Sequence, residues 1–305
     1  MTFGLAGAGE ALVDRDAVEH PTFGVAVGIG YEDQTSPLVR VTPEGTLIRL
    51  DGVDRLSGSH VHGSIGGVAD LQFSPESRLA LGGDLRFKRA PRASVFDFAS
   101  IAFNPMLRTS LFGGQVGIGR NLQRLDVAGQ RFRRVYGTIA DWTLGELDGS
   151  HWLVLVDRSR NRHWNEFSDF DSTATQLLFK RHVVRPGLGL DAIEAEVVLA
   201  RERNDQGFAE LSSKSALVRV GIEFSLFGVE AGVGLARHTS RFDDTALPDE
   251  PRRRDLATTL DVSLSYELQP RHALKLDFLD STNDANVALY ENRYRMLSLA
   301  YSVGW

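Results

Sequence analysis

"RYRMLSLAYSVGW", residues 293–305, closes the chain and sets how the rest is read. Taken in steps of two, Leu297, Leu299, Tyr301, Val303 and Trp305 form one bulky apolar row. Met296, Ser298, Ala300, Ser302 and Gly304 stand between them, mostly small or weakly polar. Successive side chains of a strand point to opposite faces, so this is a strand with two unlike faces. It runs to the last residue without a polar tail, at a place where chains ordinarily fray.

The same period of two recurs upstream. "LATTLDVSLSYEL" (256–268) sets leucine, valine and tyrosine against Asp261, serine and Glu267. "ALVRVGIEF" (216–224) sets Val218, Val220 and Ile222 against Arg219 and Glu223. "FGVEAGVGLA" (227–236) and "AIEAEVVLA" (192–200) oppose apolar rows to Glu230 and to Glu194 and Glu196. "PTFGVAVGIGY" (21–31) opposes Phe23, Val25, Val27, Ile29 and Tyr31 to glycine and alanine. A helical period fits these segments poorly, and the fold class is all-β.

The chain has 305 residues, 42% of them hydrophobic, with a mean hydropathy of -0.16. No stretch approaches the roughly 20 apolar residues of a spanning helix. A spanning barrel remains open, because its strands are only half apolar. The 30 glycines exceed the usual share of about 7%. Cysteine is absent, which excludes disulfides and thiolate metal sites and suits an oxidising compartment. A net charge of -6 argues against a nucleic-acid partner. The first 20 residues carry no basic, apolar export signal, so either the protein is cytoplasmic or the sequence is a piece of a longer exported one.

Connection lengths separate the two architectures that remain, a soluble sandwich and a membrane barrel. Short turns are expected at "SPES" (74–77), "NPML" (104–107), "ELDGS" (146–150), "RPGLG" (185–189), "LFG" (226–228) and "QPRH" (269–272). Longer loops are expected between them, at 121–132, 159–172, 203–211, 239–253 and 280–292, with a brief one at 90–93. A sandwich has no need of that asymmetry. An outer-membrane barrel has short periplasmic turns and longer external loops. The expectation is a transmembrane antiparallel β-barrel of about 14 strands, or 16 if "PLVRV" and "GTLIRL" cross as a hairpin. Residues 1–20 would be a linker and 21–305 the barrel domain.

In a barrel the apolar rows face lipid and the opposite rows line a polar lumen. The candidate lumen-lining residues are Glu194, Glu196, Arg219, Glu223, Glu230, Asp261 and Glu267. Phe103, Trp142, Trp152, Phe224, Phe227, Tyr266 and Trp305 fall near expected strand ends and would form interfacial girdles.

Other motifs point to little chemistry. "GGQVGIGR" (113–120) has dinucleotide-loop glycines but no helix to follow them, so it reads as strand. His60 and His62 share a strand face without a third metal ligand nearby and read as a lumen pair. "PRRRD" (251–255) could meet lipopolysaccharide phosphate or be a solvated loop whose charges compensate one another. No catalytic constellation is present, and neither an enzyme nor a cofactor is expected.

"STNDANVALYENRYRMLSLAYSVGW" (281–305) resembles the last loop and strand of surface lipoprotein assembly modifiers, through Asn283, Asn286, Tyr290, Arg293 and Trp305. Exopolysaccharide export barrels have similar endings. The resemblance implies an outer-membrane export or translocation pore, with an exported lipoprotein or protein as substrate. A polysaccharide export porin and a passive or structural barrel are the alternatives. Both families carry a periplasmic helical-repeat domain before the barrel, and this sequence does not contain one. The last strand, Leu297, Leu299, Tyr301, Val303 and Trp305, also resembles the terminal signal read by the barrel assembly machinery. Membrane lipid, lipopolysaccharide and that machinery are the expected partners.

Overall fold

The computed structural model describes residues 22–35, 39–41, 47–49, 55–91, 97–127, 129–146, 149–187, 189–245, 251–287 and 290–304. The expected linker over residues 1–20 and the terminal Trp305 lie outside them. The strands in chain order are β1 (Thr22–Thr35), β2 (Val39–Val41), β3 (Leu47–Arg49), β4 (Arg55–Ser74), β5 (Ser77–Arg89), β6 (Phe98–Leu111), β7 (Gly114–Val127) and β8 (Gln130–Gly145). They continue as β9 (His151–His163), β10 (Ser172–Gly187), β11 (Leu190–Asn204), β12 (Ser213–Leu226), β13 (Val229–Phe242), β14 (Arg254–Gln269), β15 (His272–Ala285) and β16 (Asn292–Gly304). Short 3-10 turns at Asn165–Phe170 and Ala209–Leu211 sit in two of the longer loops.

Fourteen of these strands close into one antiparallel barrel, in which β1 pairs with both β4 and β16. The strands β2 and β3 pair only with each other, Val39 opposite Arg49, and stay out of the wall. The count is therefore 14 and not 16. Closure matters because an open sheet edge leaves a row of unpaired amides, which hydrocarbon cannot satisfy.

Register joins the apolar rows. Val25 stands opposite Val303, Val27 opposite Tyr301 and Ile29 opposite Leu299 across the closing seam. Ala195, Val220, Leu235 and Leu260 form one row through β11 to β14. These rows are solvent-facing: Ile29, Val220 and Leu235 are each about half exposed, at 62%, 49% and 57%. The opposite face holds the buried groups, among them Glu32, His60, Asp141 and Ser298. The barrel is thus apolar outside and polar within, the reverse of a soluble core.

Part of the inner wall is apolar. Ala80, Met106 and Ile139 form a buried cluster on β5, β6 and β8, with Leu155 of β9 against it. Met106 lies across β7, where glycine leaves room: a Cβ at Gly119 would meet Met106 Cγ at 2.6 Å.

Two expected turns are strand. Residues 104–107 run inside β6, and the turn comes later, at Phe112 and Gly113, both with positive φ. Pro105 has no amide hydrogen to donate, and the pairing of β6 with β7 is interrupted there, from Phe103–Leu122 to Met106–Gly119, without a change of register. Phe103 consequently sits in mid-strand and not at an interface. Residues 121–132, expected as a long loop, are largely strand: β7 runs to Val127 and β8 begins at Gln130. Arg124 and Asp126 lie within that stretch. They are an ion pair at 2.7 Å on the outer face of β7.

Candidate functional site

The candidate site is a chain of charges along the inner wall from β9 to β14. Lys180 of β10 is ion-paired with Glu194 of β11. Arg219 of β12 places Nη1 3.7 Å from Glu194 Oε1 and Nη2 3.1 Å from Asp261 Oδ2 of β14. Arg219 thereby spans β13. Gly234 makes that possible, because a Cβ there would lie 2.5 Å from both Asp261 carboxylate oxygens. On the other side, His182 Nδ1 is 3.9 Å from Glu194 Oε2, and the rings of His182 and His151 stack at 5.0 Å.

Three of the seven candidate residues, Glu194, Arg219 and Asp261, are therefore brought into one network. Glu196 stands on the same face, in register with Lys180 and Arg219. Glu223, Glu230 and Glu267 lie apart, near the short-turn ends of β12, β13 and β14, and all three are exposed. They have no ion-pair partner among the described residues. Of the terminal-strand row, Leu297, Leu299 and Tyr301 are outward and exposed, and Val303 is in register with Val25.

A second cluster stands on the wall of β1, β4, β5 and β16. Glu32 is almost fully buried, with Lys88 Nζ 2.7 Å from Oε1, His60 Nδ1 2.9 Å from the same oxygen, and the Tyr294 hydroxyl donating to Oε2 at 2.9 Å. A carboxylate taken out of water persists only with such partners. His60 and His62, read as a lumen pair, do share this face, with ring centroids 5.4 Å apart. Among the described residues no group of three or more His, Cys, Asp or Glu is arranged to hold a metal ion. Toward the opposite, short-turn end of the inner wall, Arg108 pairs with Asp141 at 2.8 Å.

The sequence reading missed Lys180, His182, Glu32, Lys88 and Tyr294. All five fall on the polar parity of their strands, so alternation alone marks their face. What it does not mark is which neighbour each one meets, because that depends on register.

Chemically, this wall offers fixed donors and acceptors of both signs. Many are neutralised by a partner one or two strands away, whereas Glu223, Glu230 and Glu267 at the short-turn end have no ion-pair partner among the described residues. Such a lining can exchange hydrogen bonds with a hydrated solute.

Comparison with known proteins supports the architecture. The fold is similar to a crystal structure of Pseudomonas aeruginosa OccK9 (OpdG), with a TM-score of 0.50 and 10% identity over 95% of this chain and 100% of that one. The outer membrane protein opdK of the same organism aligns with a TM-score of 0.49 and 9% identity, covering 95% of this chain and 100% of that one. The outer membrane protein OprD from Pseudomonas aeruginosa gives 0.47 and 10%, covering 93% and 94%. No family model and no curated protein matches the sequence.

The resemblance to surface lipoprotein assembly modifiers is overturned: no family model matches, and the solved structure that shares the fold at a TM-score of 0.50 is OccK9. Four of the residues that carried it, Asn283, Asn286, Tyr290 and Arg293, tie down the segment between β15 and β16. Asn283 Nδ2 donates to Tyr290 O at 2.8 Å, and Asn286 Nδ2 donates to Arg252 O at 2.9 Å. Arg293 pairs with Asp280 at 2.6 Å.

Proposed function

We propose that this protein is an outer-membrane channel for the passive diffusion of small hydrophilic solutes, with a preference for cations. One observation carries the reading. Each strand of a closed barrel divides into an exposed apolar row and a polar row, and the polar rows of β9 to β14 are joined by the Lys180–Glu194–Arg219–Asp261 chain. Apolar exteriors of this kind are stable in lipid, and a polar lining is stable against water. The short turns would face the periplasm. Glu223, Glu230 and Glu267 then stand at the periplasmic mouth, where uncompensated carboxylates concentrate cations.

The test is the reversal potential of the refolded barrel in planar bilayers under a KCl gradient. The wild-type sign should correspond to cation preference. Replacing Glu223, Glu230 and Glu267 together by Gln should move the potential toward zero while conductance persists. A barrel that inserts without conducting would refute the channel. Anion preference in the wild type would refute the role given to the three carboxylates.

A further inference from the structure

The outer face carries a feature that diffusion through the lumen does not use. Above the apolar band, at the long-loop end, one row of outward residues reads Arg158, Thr175, Arg201, Lys214, Arg241, Arg254 across β9 to β14. All six side chains are exposed. Arg201, Lys214, Arg241 and Arg254 stand directly opposite one another on four successive strands. Like charges so placed repel. None of these five cations has an ion-pair partner among the described residues. A second, shorter row, Arg160–Thr173–Arg203, lies one step further out. Asp205, beside the second row, already bonds Arg162 and Thr173, and the exposed Asp284 stands opposite Leu256 at the β15 edge of the sector.

The rest of the outer face behaves differently. Arg293 and Arg295 of β16 both pair with Asp280, and Arg124 of β7 pairs with Asp126. Among the described residues, Arg201, Lys214, Arg241 and Arg254 stack on four successive strands with no carboxylate in their row, and the row continues through Thr138 of β8 to Arg120 of β7. Directly beneath it, in register, run Val156, Leu177, Leu199, Ala216, Thr239 and Leu256. The surface is therefore amphiphilic: a cationic row about 24 Å wide, at roughly 4.8 Å per strand, standing over apolar side chains.

We infer that the β9–β14 sector is a docking surface for a phosphorylated glycolipid of the outer leaflet. Its phosphates would take the arginine row, and its acyl chains would lie along the apolar row below. Guanidinium groups bind phosphate oxygens in bidentate pairs, and Thr175 adds a hydroxyl between two arginines. A free phosphate ion would satisfy the charges but not the adjoining apolar row, and the width of the row suits a headgroup with more than one phosphate. The inference rests on the proposed placement in the outer membrane and not on conduction.

The test is native mass spectrometry of the refolded barrel titrated with lipid A in detergent micelles. Wild type should retain lipid A in preference to phosphatidylglycerol, and inorganic phosphate at about 10 mM, too dilute to screen charges within the row, should not displace it. The quadruple variant Arg158→Ser, Arg201→Ser, Lys214→Ser, Arg241→Ser should lose binding by about tenfold or more, given the contribution of each basic residue at an anionic lipid surface. The control Arg293→Ser, Arg295→Ser removes two cations that are already neutralised and should change binding by less than about twofold. Heat-modifiability on gels confirms that each variant is folded. Equal retention of lipid A by the folded quadruple variant would overturn the inference. So would equal retention of phosphatidylglycerol, or displacement by phosphate. A variant that conducts normally but has lost lipid A would leave the channel reading intact, and a barrel that binds lipid A without conducting would sink that reading alone.

Discussion

Arginine placed at increasing depth along one outward row should report the position of the hydrocarbon directly. On β12, Lys214 marks the cationic row, and Ala216, Val218 and Val220 follow it on the same face. Each two-residue step is about 6.8 Å along the strand, or about 5 Å in depth at a tilt near 40°. Val220 then lies about 15 Å below the lysine, close to the middle of an apolar band roughly 25 Å tall. Its neighbours in register are Ala195 and Leu235, so an arginine there finds no carboxylate on the adjoining strands. Ala216→Arg should cost about 0–1 kcal/mol and Val220→Arg about 2–4 kcal/mol, with Val218→Arg above Ala216→Arg because it is deeper and also faces the outward Arg237. Urea titration of the barrel refolded into phosphatidylcholine vesicles measures this, read by the gel shift between folded and unfolded forms. In detergent the gradient should shrink, because a micelle deforms around a charge more readily than a bilayer. A cost that is the same at all three positions, or larger at Ala216 than at Val220, would refute the assignment of this row to lipid.

Glu32→Gln keeps the shape of the side chain but removes the charge that Lys88 and His60 approach on the inner wall. Breaking a buried pair from one side costs about 3–5 kcal/mol, so the urea midpoint should fall markedly while the barrel still folds. Deleting Trp305, or adding a charged tail after it, should lower the amount of barrel assembled in cells far more than it lowers the stability of purified, folded protein. Equal effects on both would remove the terminal strand's proposed role as an assembly signal.

The fold was legible because its signal is local. Period-two alternation needs only neighbouring residues, and it names the face of Val220 or Glu194 without any knowledge of pairing. Loop length then gave the strand number. The misreadings came from residues whose local preference was overruled. Asn104 and Pro105 look like a turn, yet the wall absorbs one interrupted pairing and β6 continues through them. Arg124 and Asp126 put charge on an outward face, which is unexpected in a membrane strand, but near the rim that face meets polar surroundings. The inner charge chain was only half legible. Arg219 and Asp261 stand 42 residues apart in sequence, and only the register of three strands, with Gly234 between them, brings them within 3.1 Å. The outward cationic row was not legible at all, since its members lie on separate strands and align only once the sheet is paired. The hairpin motif misled because its residues tie down the loop before β16.

The central claim is that one face of every strand meets lipid and the other meets water. The chain contains no cysteine, so single cysteines can be introduced without a background. The most direct measurement is a scan of β12 from Ala216 to Glu223 in vesicles, with a membrane-impermeant, water-soluble thiol reagent small enough to enter the lumen. The account predicts reaction at the odd positions 217, 219, 221 and 223 and protection at 216, 218, 220 and 222, with the pattern inverted for a reagent dissolved in the bilayer. Uniform reactivity along β12, or labelling of the even positions from water, would contradict it.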